Sequence, residues 1–255
     1  MILITNESIG GVPSLHVVKG GSEDKELSTI FFFHGYTSAK EHNLHIAYLL
    51  AEKGFRVILP DALHHGERQN DQNDRDLKFW EIVINSIKEL EGMKEELKRR
   101  GLIDDQIGVI GTSMGAITMY GALATYDWIK TAVSFMGTAY YQAFMNAQLS
   151  IVENRGLDVE SMKNHVLSQI KPFDLSEQFD KLDGRPLLIW HGKEDQVVPY
   201  PFSEKLYQEL ESRYQDHPQH LKFLSEERTA HKVSRKAVLS SIEWFERHLS
   251  NDEVS

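Results

Sequence analysis

One short stretch, from Gln106 to Ala116, limits the folds open to this chain more than any other. The apolar run ending at Ile110 has the make-up of a strand buried on both faces, and the small and apolar residues from Ala116 to Ala124 suit a helix on the same sheet. Between them stand Gly111, Thr112, Ser113, Met114 and Gly115, a G-x-S-x-G pattern. Glycines two before and two after the serine let strand and helix approach closely while Ser113 takes a strained, exposed turn at the strand's carboxyl end. Chance alone produces the pattern in roughly one chain of this length in ten. An ordinary glycine-rich turn is therefore the competing reading, and the rest of the sequence has to decide.

The flanking segments repeat the strand-then-helix rhythm. Ile2 to Thr5 and Leu15 to Val18 are short strand candidates on either side of the turn-forming Gly10, Gly11, Val12 and Pro13, and would make an antiparallel edge. Ser28 to Phe33 is a continuous apolar run that stops at His34 and Gly35, as a central strand entering a loop does. Residues 41 to 53 place Leu44, Ala47, Tyr48 and Ala51 at helical spacing, Gly54 ends that helix, and Phe55 to Asp61 reads as the next strand. Residues 62 to 76 are polar and irregular, a surface excursion, before helical periodicity returns from Leu77 to Arg100. After Ser113 and its helix come strands at Ile129 to Met136, Pro186 to Trp190 and Leu221 to Leu224. Helices follow at Pro201 to Tyr214 and Ser234 to Leu249. Eight strands alternating with helices predict an α/β fold with a largely parallel sheet, and 255 residues fit one such domain. There is no internal repeat.

Composition removes several function classes. A formal net charge of −10 argues against nucleic acid as a partner, since phosphate binding needs a surface rich in lysine and arginine. No cysteine occurs, so thiolate chemistry is excluded and nucleophilic work falls to serine. The amino terminus lacks a basic region followed by a long apolar stretch, and no later segment is long enough to cross a bilayer, so a soluble, cytoplasmic protein is expected with no membrane partner.

The segment from Thr138 to Gly184 breaks the rhythm, because connections between strands are normally far shorter. A small helical cap is expected there. Its Tyr140, Tyr141, Phe144, Met145, Leu149 and Ile151 could line a pocket or form plain core; the substrate-binding candidates are Tyr140, Tyr141 and Phe144.

A serine hydroxyl becomes a useful nucleophile when a neighbouring base takes its proton, and that base works best when a carboxylate fixes its tautomer and stabilises its charged form. In doubly wound hydrolases serine, acid and histidine follow in that order, each on a loop at the carboxyl end of a strand. Both later positions are filled here. The loop from His191 to Pro199 offers Glu194 and Asp195, and His231 follows the last strand.

With these residues the chain resembles an α/β-hydrolase, close to the small bacterial esterases of the prolyl-oligopeptidase-like and dienelactone-hydrolase-like group, over nearly its whole length. The resemblance implies a doubly wound, mostly parallel eight-stranded sheet with a cap insertion at about 138 to 184. Its H-G-x-x-D-x-x-V-P loop places the acid on Asp195, and the family's nucleophile and histidine match Ser113 and His231. The loop Phe33, His34, Gly35, Tyr36 matches the family's oxyanion loop, so the backbone N–H groups of Tyr36 and Met114 are the expected oxyanion donors. One departure is visible: Asp61 to Arg68 differs from the arginine-rich H-G-x-S loop common elsewhere in the superfamily, which bears on subfamily and leaves the triad intact.

The other histidines have bland readings. His42 and His45 stand three apart and His64 and His65 are adjacent, spacings that can hold a metal, but the serine mechanism needs none and no carboxylate is an obvious further ligand. They are expected to be solvated, and His34 and His191 to serve loop packing. The acidic run from Asp71 to Asp76 is expected to be a solvated loop. The function expected is cleavage of a small-molecule carboxylic ester through an acyl-enzyme on Ser113, without a cofactor, and a compact cap suggests short acyl chains. A peptidase or thioesterase would use the same triad. A non-catalytic ligand-binding module on this scaffold would be expected to lack a triad member.

Overall fold

The structure is a computed structural model that describes residues 1–69, 78–153 and 160–250. Eight strands form one sheet: β1 (Ile2–Ile9), β2 (Val12–Lys19), β3 (Leu27–Phe33), β4 (Arg56–Pro60), β5 (Ile103–Thr112), β6 (Ile129–Phe135), β7 (Leu187–Gly192) and β8 (Leu221–Glu226). Their order is β1-β2-β4-β3-β5-β6-β7-β8. β1 with β2 and β2 with β4 are antiparallel, and every later pairing is parallel.

Among the described residues seven α-helices accompany the strands: α1 (Leu44–Glu52), α2 (Phe79–Arg99), α3 (Met114–Thr125), α4 (Tyr141–Glu153), α5 (Glu160–Ile170), α6 (Pro201–Glu211) and α7 (Arg235–His248). They divide between the two faces. On one, Leu90 and Met93 of α2 and Met119 and Leu123 of α3 share a core cluster with Phe31, Phe33 and Ile58, and Leu206 of α6 joins it where Leu187 and Ile189 of β7 lie. On the other, Ile46 and Leu50 of α1 share a cluster with Ile30, Phe32 and Val57, and Trp244 and Phe245 of α7 extend it over β6, where Trp244 donates to Thr131 Oγ1 at 3.0 Å. The alternation along β3 is the period-two geometry of a strand, and because both faces are covered the strand reads as an unbroken apolar run. Each such side chain withdrawn from water contributes about 1.5–3 kcal/mol.

The chain leaves β3 toward β4 on one side and returns to β5 on the other. The loops after β3 and β5 therefore diverge at a topological switch point, where a crevice opens at the carboxyl end of the sheet. Ser113 stands at that point.

Several elements run longer than their apolar cores suggest. β1 and β2 pair continuously from Ile2↔Lys19 to Ile9↔Val12, so Asn6, Glu7 and Ser8 belong to the strand. Gly10 and Gly11, at φ 60° and 81°, close a two-residue hairpin that side-chain-bearing residues rarely adopt. β5 starts at Ile103, ahead of its polar Asp104 and Asp105. The helix expected over 41 to 53 begins as a 3-10 turn, Lys40–Asn43, before α1.

The insertion between β6 and β7 carries α4, α5 and a series of 3-10 turns. Buried Asp174, near its end, accepts from the Gln142 N–H at 2.9 Å, tying the returning chain to the positive end of α4. Tyr141, Phe144 and Met145 pack with Trp80, Val83 and Ile87 of α2 and Ile117 of α3. The expected loop from Asp71 to Asp76 and residue Ile151 lie outside the described residues and side chains. No helix of the described residues is long and apolar enough to cross a membrane.

Candidate active site

The turn between β5 and α3 is shaped by contact distances. A Cβ on Gly111 would lie 2.1 Å from the Gly115 carbonyl oxygen, and one on Gly115 would lie 2.1 Å from that of Phe33, so neither position admits a side chain without moving backbone. Ser113 takes φ 55° and ψ −117°, a conformation costly for a residue with a side chain. Its N–H donates to the Phe135 carbonyl at 2.8 Å, which holds the turn against β6.

Three loops meet over this serine. The Ser113 Oγ lies 2.8 Å from His231 Nε2, and His231 Nδ1 lies 2.6 Å from Asp195 Oδ2. A carboxylate only accepts, so Nδ1 carries the proton and Nε2 is left to accept from the hydroxyl. Asp195 Oδ1 accepts from the Val197 and Val198 N–H groups at 2.8 and 3.1 Å. Burial alone would raise the Asp195 carboxyl, but the hydrogen bonds from His191 and His231 outweigh it and hold the group far below the usual carboxylate range. Neighbouring Glu194 is exposed, with its backbone N–H on the Thr229 carbonyl, so the two acids of this loop are sharply divided.

His191 exceeds the loop-packing role expected of it. It is fully buried at the end of β7, with Nε2 3.1 Å from Asp195 Oδ2. Its sequence position, four before the acid, carried no signal of that contact.

The loop after β3 comes against the serine from the other side. A Cβ on Gly35 would sit 3.5 Å from Ser113 Cβ, in ordinary contact. Tyr36 follows it, and Met114 opens α3, where the first N–H groups of a helix lie outside its own ladder. His34 donates from Nδ1 to the Gly35 carbonyl at 2.8 Å and accepts at Nε2 from the Ala62 N–H at 3.0 Å. Burial pushes its imidazole down to about 4. His65, expected to be solvated, is instead buried: Nε2 accepts from the Thr37 N–H at 3.2 Å and Nδ1 donates to the Leu63 carbonyl at 2.8 Å. Asp61 accepts from the backbone N–H groups of Lys40 and Glu67, both at 3.0 Å, and from Lys40 Nζ at 2.8 Å. The divergent segment from Asp61 to Arg68 thus braces the loop that carries Tyr36. His42 meets Ser38, and no group of three or more potential ligands among the described residues is placed to hold a metal.

A cavity of about 340 Å³ opens onto Ser113. Tyr36, Phe79, Met114, Ile117, Phe144 and Val198 supply most of its apolar wall, with Gln148 and Gln196 at its polar edge. Of the three aromatics expected there, only Phe144 lines it. Tyr141 is fully buried and donates its hydroxyl to the Ile117 carbonyl. Tyr140 turns to the opposite side, stacked on Phe202 with its hydroxyl on Glu209. Tyr140 precedes α4, and Tyr141 and Phe144 stand about 60° apart around it, so Phe144 reaches the cavity while Tyr141 lies deeper, against α3. Phe79 went unnoticed in the sequence because it follows the polar stretch; the aromatic pair Phe79 and Trp80 at a helix start was the available signal.

Comparison with known proteins agrees with this geometry. Residues 41–252 match the Prolyl oligopeptidase family. The chain is 47% identical over 255 residues to a Bacillus subtilis protein named "Putative esterase YitV", covering 98% of this chain and 100% of the relative. It is 30% identical over 254 residues to "Esterase YjfP" of Escherichia coli, covering 98% and 100%. The crystal structure of TT1662 from Thermus thermophilus superposes with a TM-score of 0.77 at 21% identity, covering 98% of this chain and 99% of that one. By fold it is an α/β-hydrolase, and by sequence the chain belongs to the prolyl oligopeptidase family.

Proposed function

We propose that the chain is a serine hydrolase that cleaves carboxylic esters. The observation that carries this reading is the unbroken relay from Asp195 Oδ2 through His231 to Ser113 Oγ, at 2.6 and 2.8 Å, at the floor of an apolar cavity. Ser113 Oγ attacks the ester carbonyl carbon while His231 Nε2 takes its proton, and Asp195 stabilises the imidazolium that forms. The carbonyl electrons move onto oxygen, which the Tyr36 and Met114 N–H groups would receive, with the α3 dipole behind Met114. As the intermediate collapses, the alkoxide leaves with the proton from His231. Water then attacks the acyl-serine with His231 again acting as base, and the acid is released. No step calls for a cofactor.

The names of the two full-length relatives favour an ester over a peptide or thioester, all three of which the same relay could cleave. The cavity lies at the small end of the range seen for small-molecule sites, which suits a short acyl group. Turnover of chromogenic esters of increasing acyl length, set beside an anilide and a thioester, tests the assignment. An anilide as the best substrate would replace esterase by peptidase, and no turnover with no fluorophosphonate adduct would mark a binding module.

A further inference from the structure

We propose that His191 is a positioning residue for the carboxylate of the triad, fixing the orientation of Asp195 and taking a share of the charge that Asp195 presents to His231. The proposal rests on the assignment of Ser113, His231 and Asp195 above.

Asp195 Oδ2 lies 2.6 Å from His231 Nδ1 and 3.1 Å from His191 Nε2, so two imidazoles meet on one oxygen. His191 Nε2 is also 2.8 Å from the Val198 carbonyl. Both neighbours are acceptors, so Nε2 carries a proton and donates to the carboxylate and to the loop beyond it. On the far side of the ring, Nδ1 is 2.7 Å from Ser203 Oγ in α6. A ring protonated at Nε2 accepts there, so the Ser203 hydroxyl donates to Nδ1 rather than to the Gly137 carbonyl, which lies farther off at 3.4 Å. His191 therefore ties β7, the Asp195 loop and α6 together through one buried ring.

The electrostatic consequence follows from counting donors. Each carboxylate oxygen receives two: Val197 and Val198 on Oδ1, His231 and His191 on Oδ2. Each donor withdraws negative charge that would otherwise act on His231. Without His191, Oδ2 presents more charge to the imidazolium, which becomes easier to form. The base is then protonated at higher pH, and the acid limb of activity moves upward. The other titratable groups around the pair are Tyr200, edge-on to His191 at 6.0 Å, Lys193 over the Tyr200 ring at 6.0 Å, and Glu204 on the Tyr200 hydroxyl at 3.1 Å. None of these changes in the test.

Three substitutions separate tuning from packing. His191→Gln can place an amide N–H where Nε2 stands and keeps the donor. His191→Asn reaches only as far as Nδ1, so it keeps the Ser203 side and loses the donor to Asp195. His191→Phe fills the ring volume and donates nothing. The pH profiles of kcat and kcat/KM on a short chromogenic ester would be measured for all three beside the native protein. Asn and Phe are expected to lower kcat roughly tenfold and to move the acid limb up by about half to one pH unit, with KM nearly unchanged because His191 does not line the cavity. Gln is expected to recover most of both effects. If His191→Phe does not fold, the smaller Asn variant carries the same comparison. An acid limb that stays at its native position in the donor-free variants, or a Gln variant no better than Asn, overturns the proposal. Failure of the underlying triad looks different: the native protein itself would form no fluorophosphonate adduct on Ser113.

Discussion

At Asp195, four N–H groups converge on a carboxylate with no exposed side-chain surface, two residues from solvent-facing Lys193. Such a group can only work ionised. Replacing it by asparagine presents an N–H where His231 needs an acceptor and favours the wrong imidazole tautomer. Asp195→Asn should therefore lower kcat by roughly 10⁴, while Glu194→Gln should stay within about twofold. Steady-state kinetics of the two purified variants decides, and the reverse ranking would mean the acid is misassigned. Asp195 also carries a stability term. Its folded carboxyl is held below its unfolded value of about 3.9, so the contribution is complete above that pH and fades as acid takes the group through its folded value. At this scale the sequence offered the serine in a pattern that an ordinary glycine-rich turn could also produce, and the histidine by its place after the last strand. It left Glu194 and Asp195 open until the loop was matched to a family, because two adjacent acids differ only in which way the turn points them.

Among the elements, α4 does two jobs that its sequence does not separate. Phe144 faces the cavity while Tyr141, three residues earlier, faces α3 and gives its hydroxyl to the buried Ile117 carbonyl. Phe144→Ala should lengthen the acyl groups accepted, raising activity on longer esters relative to the shortest by roughly tenfold, with turnover of the shortest largely kept. Tyr141→Phe should leave that profile unmoved and cost about 0.5–1.5 kcal/mol of stability, since it removes one hydrogen bond while the Ile117 carbonyl keeps its place in the α3 ladder. An ester series and a urea titration on each variant separate the two roles, and a shared phenotype would refute the division. The central strands were legible as continuous apolar runs, and the helices over the sheet by apolar residues at helical spacing. What was not legible was set by tertiary contact: the polar half of β1, held by pairing with β2, and the buried His65, which the Thr37 N–H of another loop reaches. A polar residue in a sequence does not declare whether water or a backbone group will satisfy it.

Across the whole molecule, buried polar groups join the loops at the carboxyl end of the sheet into one frame around Ser113. His34 is part of it and sets a pH limit. Its folded imidazole is pushed from 6.5 down to about 4, so between those values the unfolded chain takes up a proton that the folded chain refuses. Stability should fall as pH drops through that window, by up to about 3 kcal/mol for this group at 1.36 kcal/mol per unit. Unfolding free energies from urea titrations at intervals across it would show the slope, and a flat profile would contradict the assignment. The doubly wound architecture was readable from the alternation of segments, and the crevice at its switch point followed from it. The shape of the pocket was not readable, because Phe79, Phe144 and Val198 reach it from three separate stretches of chain. The central claim is that Ser113 is the nucleophile. Its most direct test is intact-mass analysis after fluorophosphonate treatment, run beside ester turnover, on the native protein and on Ser113→Ala. The native chain should gain one adduct, mapped to Ser113, and lose its activity with it. Ser113→Ala should gain none and turn over roughly 10⁴ to 10⁶ times more slowly while melting cooperatively. Near-native turnover by a clean Ser113→Ala preparation, or an adduct mapped to another residue, would contradict it.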